Sequence, residues 1–485
     1  MAETLKEKTA KGLFWGIMNN GTQQLLGLVF GIWLGRKLSD YDYGMTAMIV
    51  VFTLIANSLQ DSGFRTAIAN LKEATHKDYN SVFWFNVIVG TSLYVILFLA
   101  APLIARYYHT PELVPLSRYA FLATIFASFG TAQTAYLFRN LMVKQTAQCN
   151  IIATMTASLV AVVMASLGFG YWALATQGVL YVAVNTLMLW HFSPWRPTFH
   201  LDFGPAMSMF RFSSKILLTY IINIINNNVL NVLLGYYYKP QAVGQYNQAS
   251  QWNNKAGSVI QGMILQVAQP VLAGIDDDHE RQLRALRKMV RFTAFLSFPL
   301  MFGLALVSHE FIIIAITEKW RESAYLLRML CVAGAVAPLC TLFNNFIISK
   351  KRSDIYLWVT ASLGVVQIVV MLLIWPYGIR VMVMVYVALQ LLWFFIWYSQ
   401  VARFLSYGLL MLLQDIMPFA LAAAAVMAAT FWLTLGIGNL WLLLGCRVLL
   451  AALLYYGIMR LAKVQILQEC QDFLLKRFKK QHGQG

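Results

Sequence analysis

The sequence predicts an all-α polytopic membrane protein with fourteen transmembrane helices: two repeat-related six-helix lobes, then two more helices, with both termini in the cytoplasm. Three observations predict it: the composition, the spacing of apolar runs and the distribution of basic residues. Of 485 residues, 59% are hydrophobic and only 12% are charged, whereas about a quarter of the residues in soluble proteins are charged. The composition therefore excludes a water-soluble domain. Helices are expected because each backbone amide in lipid must be hydrogen-bonded within its own segment.

Fourteen apolar runs are long enough for helical spans of about 20 residues. The first six are residues 12–35, 43–63, 80–106, 114–138, 147–168 and 171–192. After a proline-containing connector, the next six are 208–238, 243–272, 290–317, 324–349, 354–375 and 379–400. The last two are 416–436 and 439–462. We therefore predict an N-terminal lobe (1–200), a C-terminal lobe (201–405), two additional helices (406–462) and a basic cytoplasmic tail (463–485).

Basic residues are concentrated in alternate connections between the runs. When the ends of the runs are counted with the connections next to them, one set of connections holds 26 Lys and Arg and the other holds 9. Lys255 and Arg447 lie deeper inside runs, which accounts for all 37. Cytoplasmic loops carry the excess of Lys and Arg, so this bias predicts cytoplasmic termini and an even number of spans. It also explains the net charge of +17 without a nucleic-acid partner, and the basic tail is expected to contact anionic membrane lipids.

A short pattern repeats along the chain. Leu34-Gly35 followed by Gly44 recurs as Leu234-Gly235 followed by Gly244, at the same place between the first and second helices of each six. Because the offset spans an even number of helices, the two halves should have parallel topology. Two related bundles are typical of transporters, in which one half rocks against the other to give alternating access.

No catalytic residue, metal site or cofactor is predicted. The five cysteines lie in apolar runs or in the basic tail, without paired spacing or a histidine partner, so neither disulfides nor zinc is indicated. No glycine-rich phosphate loop with a lysine occurs in the sequence, and no outer loop is long enough to hold an active site. We therefore predict that the chain is not an enzyme. The first run carries amides and no small-residue cleavage site follows, which predicts a retained helix and not a signal peptide.

Polar side chains form stripes along three predicted helices. On the first helix the stripe is Asn19, Asn20, Gln23 and Gln24. On the seventh it is Asn223, Asn226, Asn227 and Asn231, and on the eighth it is Gln248, Gln251, Lys255, Ser258, Gly262, Gln266 and Gln269. Polar side chains inside a bilayer usually face a partner or a water-filled cavity. We therefore predict that Asn19, Gln23, Asn223, Asn227, Asn231, Gln248 and Gln251 line a substrate-binding cavity. The alternative is that these amides only hold neighbouring helices together.

Lys255 is the strongest candidate for contact with a substrate. It lies about 12 residues into its run, near the middle of the span, where an unpaired charge is costly. A cavity-lining role and a structural pairing are both compatible with this position.

Two further pairs of charged residues lie near predicted helix ends. Asp61 and Arg65, four residues apart around Gly63, predict a gate or a substrate-entry rim, or else a local clasp. Arg211 and Lys215, also four residues apart, could attract a phosphate at the start of the seventh helix or could simply anchor that helix end.

Several motifs resemble one family. They are Gly35-Arg36 with Leu38, Ser39, Asp42, Tyr43 and Gly44; Asp61 with Gly63, Phe64, Ala67 and Ile68; residues 168–174 with Gln177; Trp195-Arg196-Pro197; Pro299; and Lys319-Trp320. Together they resemble the polysaccharide-transport family, in particular its Wzx-type, colanic-acid-exporter-like branch, within the multidrug/oligosaccharidyl-lipid/polysaccharide (MOP) flippase superfamily. The resemblance covers about residues 10 to 400 and places helices one, two, seven and eight around a central cavity.

The resemblance implies a flippase that translocates a polyprenyl-diphosphate-linked oligosaccharide, such as an O-antigen or exopolysaccharide repeat unit, across the bacterial inner membrane by alternating access. Its partners would be that glycan lipid, membrane lipids and glycan assembly proteins. Two alternatives stay open. A multidrug and cation antiporter of the same superfamily would need an acidic residue within the membrane, and a membrane-bound glycan polymerase or glycosyltransferase would need an active site outside it.

Overall fold

The computed structural model describes residues 5–61, 63–69, 71–273 and 278–469; within these ranges the side chains of residues 5–13, 17, 66, 211–216 and 265–273 lie outside the description. The helices are, in chain order, α1 (Leu5–Lys37), α2 (Asp40–Asp61), α3 (Phe64–Ala69), α4 (His76–Tyr107), α5 (Leu113–Ala120), α6 (Leu122–Ser128), α7 (Thr131–Arg139), α8 (Val143–Ser166), α9 (Tyr171–Phe192), α10 (Gly204–Tyr237), α11 (Pro240–Ala273), α12 (His279–Ile316), α13 (Arg321–Ser349), α14 (Ser353–Ile374), α15 (Ile379–Leu405), α16 (Leu409–Leu433) and α17 (Leu440–Leu461). No strand occurs in these described ranges.

The helices are long and apolar enough to make this a multi-pass membrane protein, which confirms the predicted class. Among the described residues, eleven helices could each cross a bilayer by length and composition, or twelve if the bent stretch from Leu113 to Arg139 forms one span. Helices α1 and α11 are not among them, because their amide stripes lower the hydropathy of the whole helix. The count of fourteen spans and the cytoplasmic placement of the termini stay predictions.

The fourth predicted run, residues 114–138, is not one straight helix. It is divided into α5, α6 and α7, with a bend of 45° between Ser128 and Thr131. Gly130 lies in this break, and a Cβ there would come within 3.1 Å of the Thr186 hydroxyl on α9. Gly130 has a φ of −103°, which any residue can adopt, so glycine serves this position through its missing side chain, which leaves room for Thr186.

The chain forms two compact units, Met1–Asn247 and Gln248–Gly485. In the first unit α8 packs against α1 and α9, while α10 packs against α2 and α4. In the second unit α12 packs against α13, α16 and α17, and α13 also packs against α15. The lobe boundaries given by the sequence describe a repeat and stay a prediction.

The repeated glycines meet each other within the first unit. A Cβ on Gly244 would overlap the Asp40 carbonyl and lie 3.0 Å from the backbone nitrogen of Gly44, and a Cβ on Gly44 would overlap the Pro240 carbonyl. Asp40 and Pro240 are themselves 200 residues apart, so the two contacts are reciprocal. The Gln245 amide also donates to the Asp40 carboxylate at 3.1 Å. The starts of α2 and α11 therefore cross at a distance that only glycine permits.

Two buried carboxylates join the last two helices to α12. On α16, Asp415 is fully buried and accepts hydrogen bonds from Arg287 at 2.7 Å and Arg291 at 2.5 Å. On α17, Arg447 donates to Glu310 of α12 at 2.7 Å, and both side chains are buried. Breaking a buried pair by removing one partner costs about 3–5 kcal/mol. These pairs therefore fix α16 and α17 against α12 within the second unit.

Candidate functional site

The polar stripe of α11 is centred on Lys255 in the second unit. The Lys255 ammonium lies over the ring of Trp252, 4.5 Å from its centroid, and Lys255 is only partly exposed. Trp252 is buried and packs edge-on against Phe311 of α12 at 5.0 Å between ring centroids. A cation over the face of tryptophan is favourable by about 0.5–2 kcal/mol, more so when desolvated. The aromatic pair therefore holds the charge at a fixed place on the helix.

Other amides of α11 divide between buried and exposed positions. Gln248 is buried, whereas Gln251 and Asn254 are exposed. The Asn253 side chain lies against Gly334 of α13, where a Cβ would come within 2.6 Å of Asn253 Oδ1. One edge of the stripe thus packs into the unit, while the hydrogen-bonding groups of the other edge are exposed.

The asparagine stripe of α10, in the first unit, is divided in the same way. Asn226 and Asn231 are 6% exposed, Asn223 is half-buried, and Asn227 is exposed. The Asn223 amide donates to the Thr219 carbonyl one turn earlier at 2.9 Å. The Asn231 carbonyl oxygen is buried and, within the described residues, has no hydrogen-bond partner. Of the four predicted residues, Asn227 is therefore the one best placed to meet a solvated ligand.

The amides of α1 make a contact between helices. Gln23 accepts a hydrogen bond from the Thr154 hydroxyl of α8 at 2.7 Å. The Gln23 amide nitrogen and the Asn19 carbonyl oxygen are buried without a partner in the described part of the chain. The Gln23 side-chain oxygen thus joins α1 to α8, while its side-chain nitrogen makes no hydrogen bond to the described residues.

Asp61 and Arg65 lie on either side of a helix break. Asp61 is the last residue of α2 and is exposed, and Arg65 is in the first turn of α3. The Arg65 guanidinium lies over the ring of Phe138, 4.2 Å from its centroid. Arg139 donates to the carbonyl oxygen of Ile68 at 2.6 Å and so holds the end of α3. The gate role of Asp61 and Arg65 stays a prediction.

Arg211 and Lys215 both lie in α10, but their side chains lie outside the described residues. Their predicted contact with a phosphate stays a prediction.

Two of the features that organise the second unit were not predicted from the sequence. Asp415 was placed before the thirteenth predicted run, whereas it lies inside α16 and is fully buried. Trp252 was not singled out, although an aromatic residue three positions before Lys255 is a recognisable cation–π signal. The Tyr407 hydroxyl donates to Asp415 from eight residues away, but its two arginine partners lie 124 and 128 residues away in the chain, so no local pattern could have found those ion pairs.

The described residues contain no group of three or more metal-ligating side chains close enough to hold an ion. Their four cysteines, Cys149, Cys331, Cys340 and Cys446, are free. The site that the described side chains form is therefore one of amides, an aromatic ring and an ammonium group.

Comparison with known sequences gives a consistent set of relatives. A family model described as "Polysaccharide biosynthesis protein" matches residues 33–325. The chain is 27% identical to lipopolysaccharide biosynthesis protein WzxC of Escherichia coli (strain K12), over 73% of this chain and 72% of that protein. It is 24% identical to teichuronic acid biosynthesis protein TuaB of Bacillus subtilis (strain 168), over 73% of each. It is 23% identical to succinoglycan biosynthesis transport protein ExoT of Rhizobium meliloti (strain 1021), over 74% of this chain and 73% of that one.

Comparison with solved structures shows the fold. The inward closed conformation of lipid II flippase MurJ aligns with a TM-score of 0.77 at 13% identity, covering 94% of this chain and 100% of that chain. An inward-facing multidrug resistance transporter of the MATE family, in the MOP superfamily, aligns with a TM-score of 0.61 at 15% identity, covering 84% and 95%. The helices of this chain therefore follow the same fold as those two transporters.

Proposed function

Since the chain belongs to the polysaccharide biosynthesis protein family, we propose that it is a flippase that moves a polyprenyl-diphosphate-linked oligosaccharide across the bacterial inner membrane by alternating access. The family membership confirms the resemblance drawn from the sequence motifs. The relatives are named for the biosynthesis or transport of lipopolysaccharide, teichuronic acid and succinoglycan, and a protein of the same fold is named a lipid II flippase. An O-antigen or exopolysaccharide repeat unit is the substrate class that fits these names.

The observation that carries the proposal is the polar edge of α11. Lys255 lies over Trp252, and the exposed amides of Gln251 and Asn254 lie within one turn of it. Amides can donate to and accept from sugar hydroxyls, and an ammonium group binds a diphosphate through charge-assisted hydrogen bonds. A helix with this surface is unsuited to hydrocarbon, so we assign it to a hydrated path that the glycan headgroup follows while its lipid tail stays in the bilayer.

The topology belongs to the same proposal. Helix α11 has 34 residues, which is roughly 51 Å at 1.5 Å per residue and exceeds the roughly 30 Å hydrocarbon layer. Helix α1, with 33 residues, is also long enough to cross this layer. If α1, α11 and the bent α5–α7 stretch each count as one span, the chain crosses fourteen times. The excess of Lys and Arg in alternate connections then supports a cytoplasmic position for both termini.

The decisive experiment is a transport assay with purified protein in liposomes. A labelled undecaprenyl-diphosphate oligosaccharide is added in one leaflet, and the fraction that becomes accessible from the other is measured with and without a proton or sodium gradient. Lys255→Gln should reduce the rate by at least about tenfold, which corresponds to one charge-assisted hydrogen bond. Lys255→Arg keeps the charge and should retain most of the activity.

The control is Arg403→Gln, which removes an exposed charge near the end of α15 and should leave transport unchanged. Normal transport by Lys255→Gln at equal protein levels would reject the role of Lys255. Liposomes that move no substrate with the unchanged protein would reject the proposed function itself.

A cation-coupled drug antiporter is less well supported by the described residues. Such a transporter needs an acidic side chain free to bind a cation or proton within the membrane. The two buried acids described, Glu310 and Asp415, are each paired with arginine at 2.7 Å or less. A carboxylate already neutralised by a guanidinium is a poor cation ligand. Drug-dependent proton release from liposomes would reverse this preference.

A further inference from the structure

The second unit contains a cavity with one basic wall and one apolar wall. Its volume is about 600 Å³. The basic wall consists of Arg284, Arg287, Lys288 and Arg291 on α12. The apolar wall includes Phe419 and Ala422 of α16, Ile458 and Met459 of α17, and Ile466 beyond it. A cavity with both kinds of wall fits a ligand that is itself amphiphilic.

The cavity lies at the ends of membrane-spanning helices. The basic wall occupies the first turns of α12, before the apolar part of that helix, and Ile458 and Met459 lie in the last turn of α17. Phosphate headgroups and the first methylenes of lipid chains meet at this depth of a bilayer. The position therefore favours a lipid over a fully water-soluble ligand.

The basic wall carries more positive than negative charge. Arg284 pairs with Glu280 at 3.3 Å, and Lys288 pairs with Glu469 at 2.7 Å. Arg287 and Arg291, however, share the single carboxylate of Asp415, as described above. Four cations thus face three carboxylates, and the excess charge belongs to the arginine pair.

The Arg291 guanidinium also has hydrogen-bond donors available for a ligand. It donates to Asp415 through Nε, and within the described residues its two terminal nitrogens make no hydrogen bond. Its side chain is 42% exposed, so these nitrogens can be reached. A guanidinium presents such donors in a planar fork that matches two oxygens of a phosphate. Lys288 lies three residues earlier on the same helix, and its pair with Glu469 is exposed on both sides and so is easily displaced.

We propose that this cavity binds an anionic diacyl phospholipid of the surrounding membrane, with its phosphate on Arg291 and Lys288 and an acyl chain along the apolar wall. The chain's own last residues, 470–485, suit the cavity less well because they carry four Lys and Arg and one Asp or Glu, and like charges repel. A free anion would leave the apolar wall uncovered. The proposal does not depend on the proposed function, since it concerns a membrane lipid and not the transported substrate.

The test is a lipid-binding titration on the full-length protein purified in a neutral detergent. Dioctanoyl phosphatidylglycerol is compared with dioctanoyl phosphatidylcholine, which has the same chains and no net charge, and bound lipids are counted by native mass spectrometry. We expect one phosphatidylglycerol site with a Kd about tenfold below that for phosphatidylcholine. Arg291→Gln and Lys288→Gln should each weaken phosphatidylglycerol binding several-fold.

Two further variants separate the cavity from general electrostatics and from misfolding. Ala422→Phe would fill the space beside the apolar wall without changing the charge of the cavity, and it should weaken the binding of both lipids. Arg281→Gln removes an exposed charge from the same helix but outside the cavity, and it should bind like the unchanged protein. If Arg291→Gln does not elute as a single species, Lys288→Gln and Ala422→Phe decide the question, because neither changes a buried ion pair.

Four outcomes would overturn the proposal. Equal binding of the two lipids would show that the lipid's charge is not recognised. Equal weakening by Arg281→Gln and Arg291→Gln would show that the lipid does not bind in this cavity. Displacement of the lipid by inorganic phosphate at the same concentration identifies a free-anion site. Displacement of phosphatidylglycerol by substoichiometric undecaprenyl phosphate assigns the cavity to the carrier lipid instead.

Discussion

The crossing of α2 and α11 gives a sharp prediction, because two alanine substitutions would each introduce a methyl group into backbone. At position 244 the added Cβ would lie 2.7 Å from the Asp40 carbonyl carbon, whereas carbon atoms in van der Waals contact are about 3.5–4.0 Å apart. The two helix starts would have to separate by about 1 Å. Overpacking of this kind costs about 1–3 kcal/mol. We expect Gly244→Ala and Gly44→Ala each to destabilise the protein by about 3 kcal/mol or more. The overlapping atoms belong to the backbone, which cannot move away by changing rotamer.

Thermal unfolding of the purified protein measures the effect, with Gly262→Ala as the matched control. Gly262 lies on the same helix, α11, and a Cβ there would meet nothing within 4 Å, so alanine should stabilise the helix by up to about 1 kcal/mol. We expect Gly244→Ala to melt at least about 3 °C below the unchanged protein, and Gly262→Ala to melt at or above it. If the two variants melt at the same temperature, the close crossing does not exist as described.

Two other predictions follow from burial. Glu310→Gln should destabilise the protein by about 3 kcal/mol, because Arg447 would lose its buried partner, and adding Arg447→Leu should recover part of the loss; unchanged chemical denaturation of Glu310→Gln would contradict the pairing. In a background without native cysteines, Asn227→Cys should react with a hydrophilic thiol reagent at least about tenfold faster than Asn231→Cys, since position 227 is exposed and position 231 is 6% exposed. Equal reaction rates would show that α10 is rotated relative to this description.

The positions of the helices could be predicted well because they depend on local properties. The sixth predicted run, residues 171–192, coincides with α9, which begins after Gly170 and ends before Ser193. Gly170 has a φ of 55°, a conformation that glycine adopts readily, so the glycine itself marks the start of the helix. The break in residues 114–138 was not predicted. It lies where Thr186 of α9 comes next to Gly130, and contacts between distant segments leave no periodic signal.

The composition of the candidate site could also be predicted, but not the direction in which each side chain points. Helical periodicity predicts that the four asparagines of α10 share one face, yet Asn231 is buried and Asn227 is exposed. That difference depends on how α10 is rotated against α2 and α4, which pack against it. Arg447 shows the same limit of local patterns: its buried partner Glu310 lies 137 residues away, and the sequence alone does not identify it.

The two carboxylate–arginine pairs on α12 have a consequence for how such chains can change in length. Arg287 and Glu310 lie roughly 35 Å apart along the helix, so α16 and α17 are joined to α12 at two points separated by about the thickness of the hydrocarbon layer. A homologous chain that ended after α15 would lack Arg447, so the Glu310 carboxylate would be left without its ion-pair partner inside the membrane. An unpaired charge at that depth is costly. We therefore expect a homologue that lacks α16 and α17 to carry a neutral residue at position 310. Helices α16 and α17 should be gained or lost together.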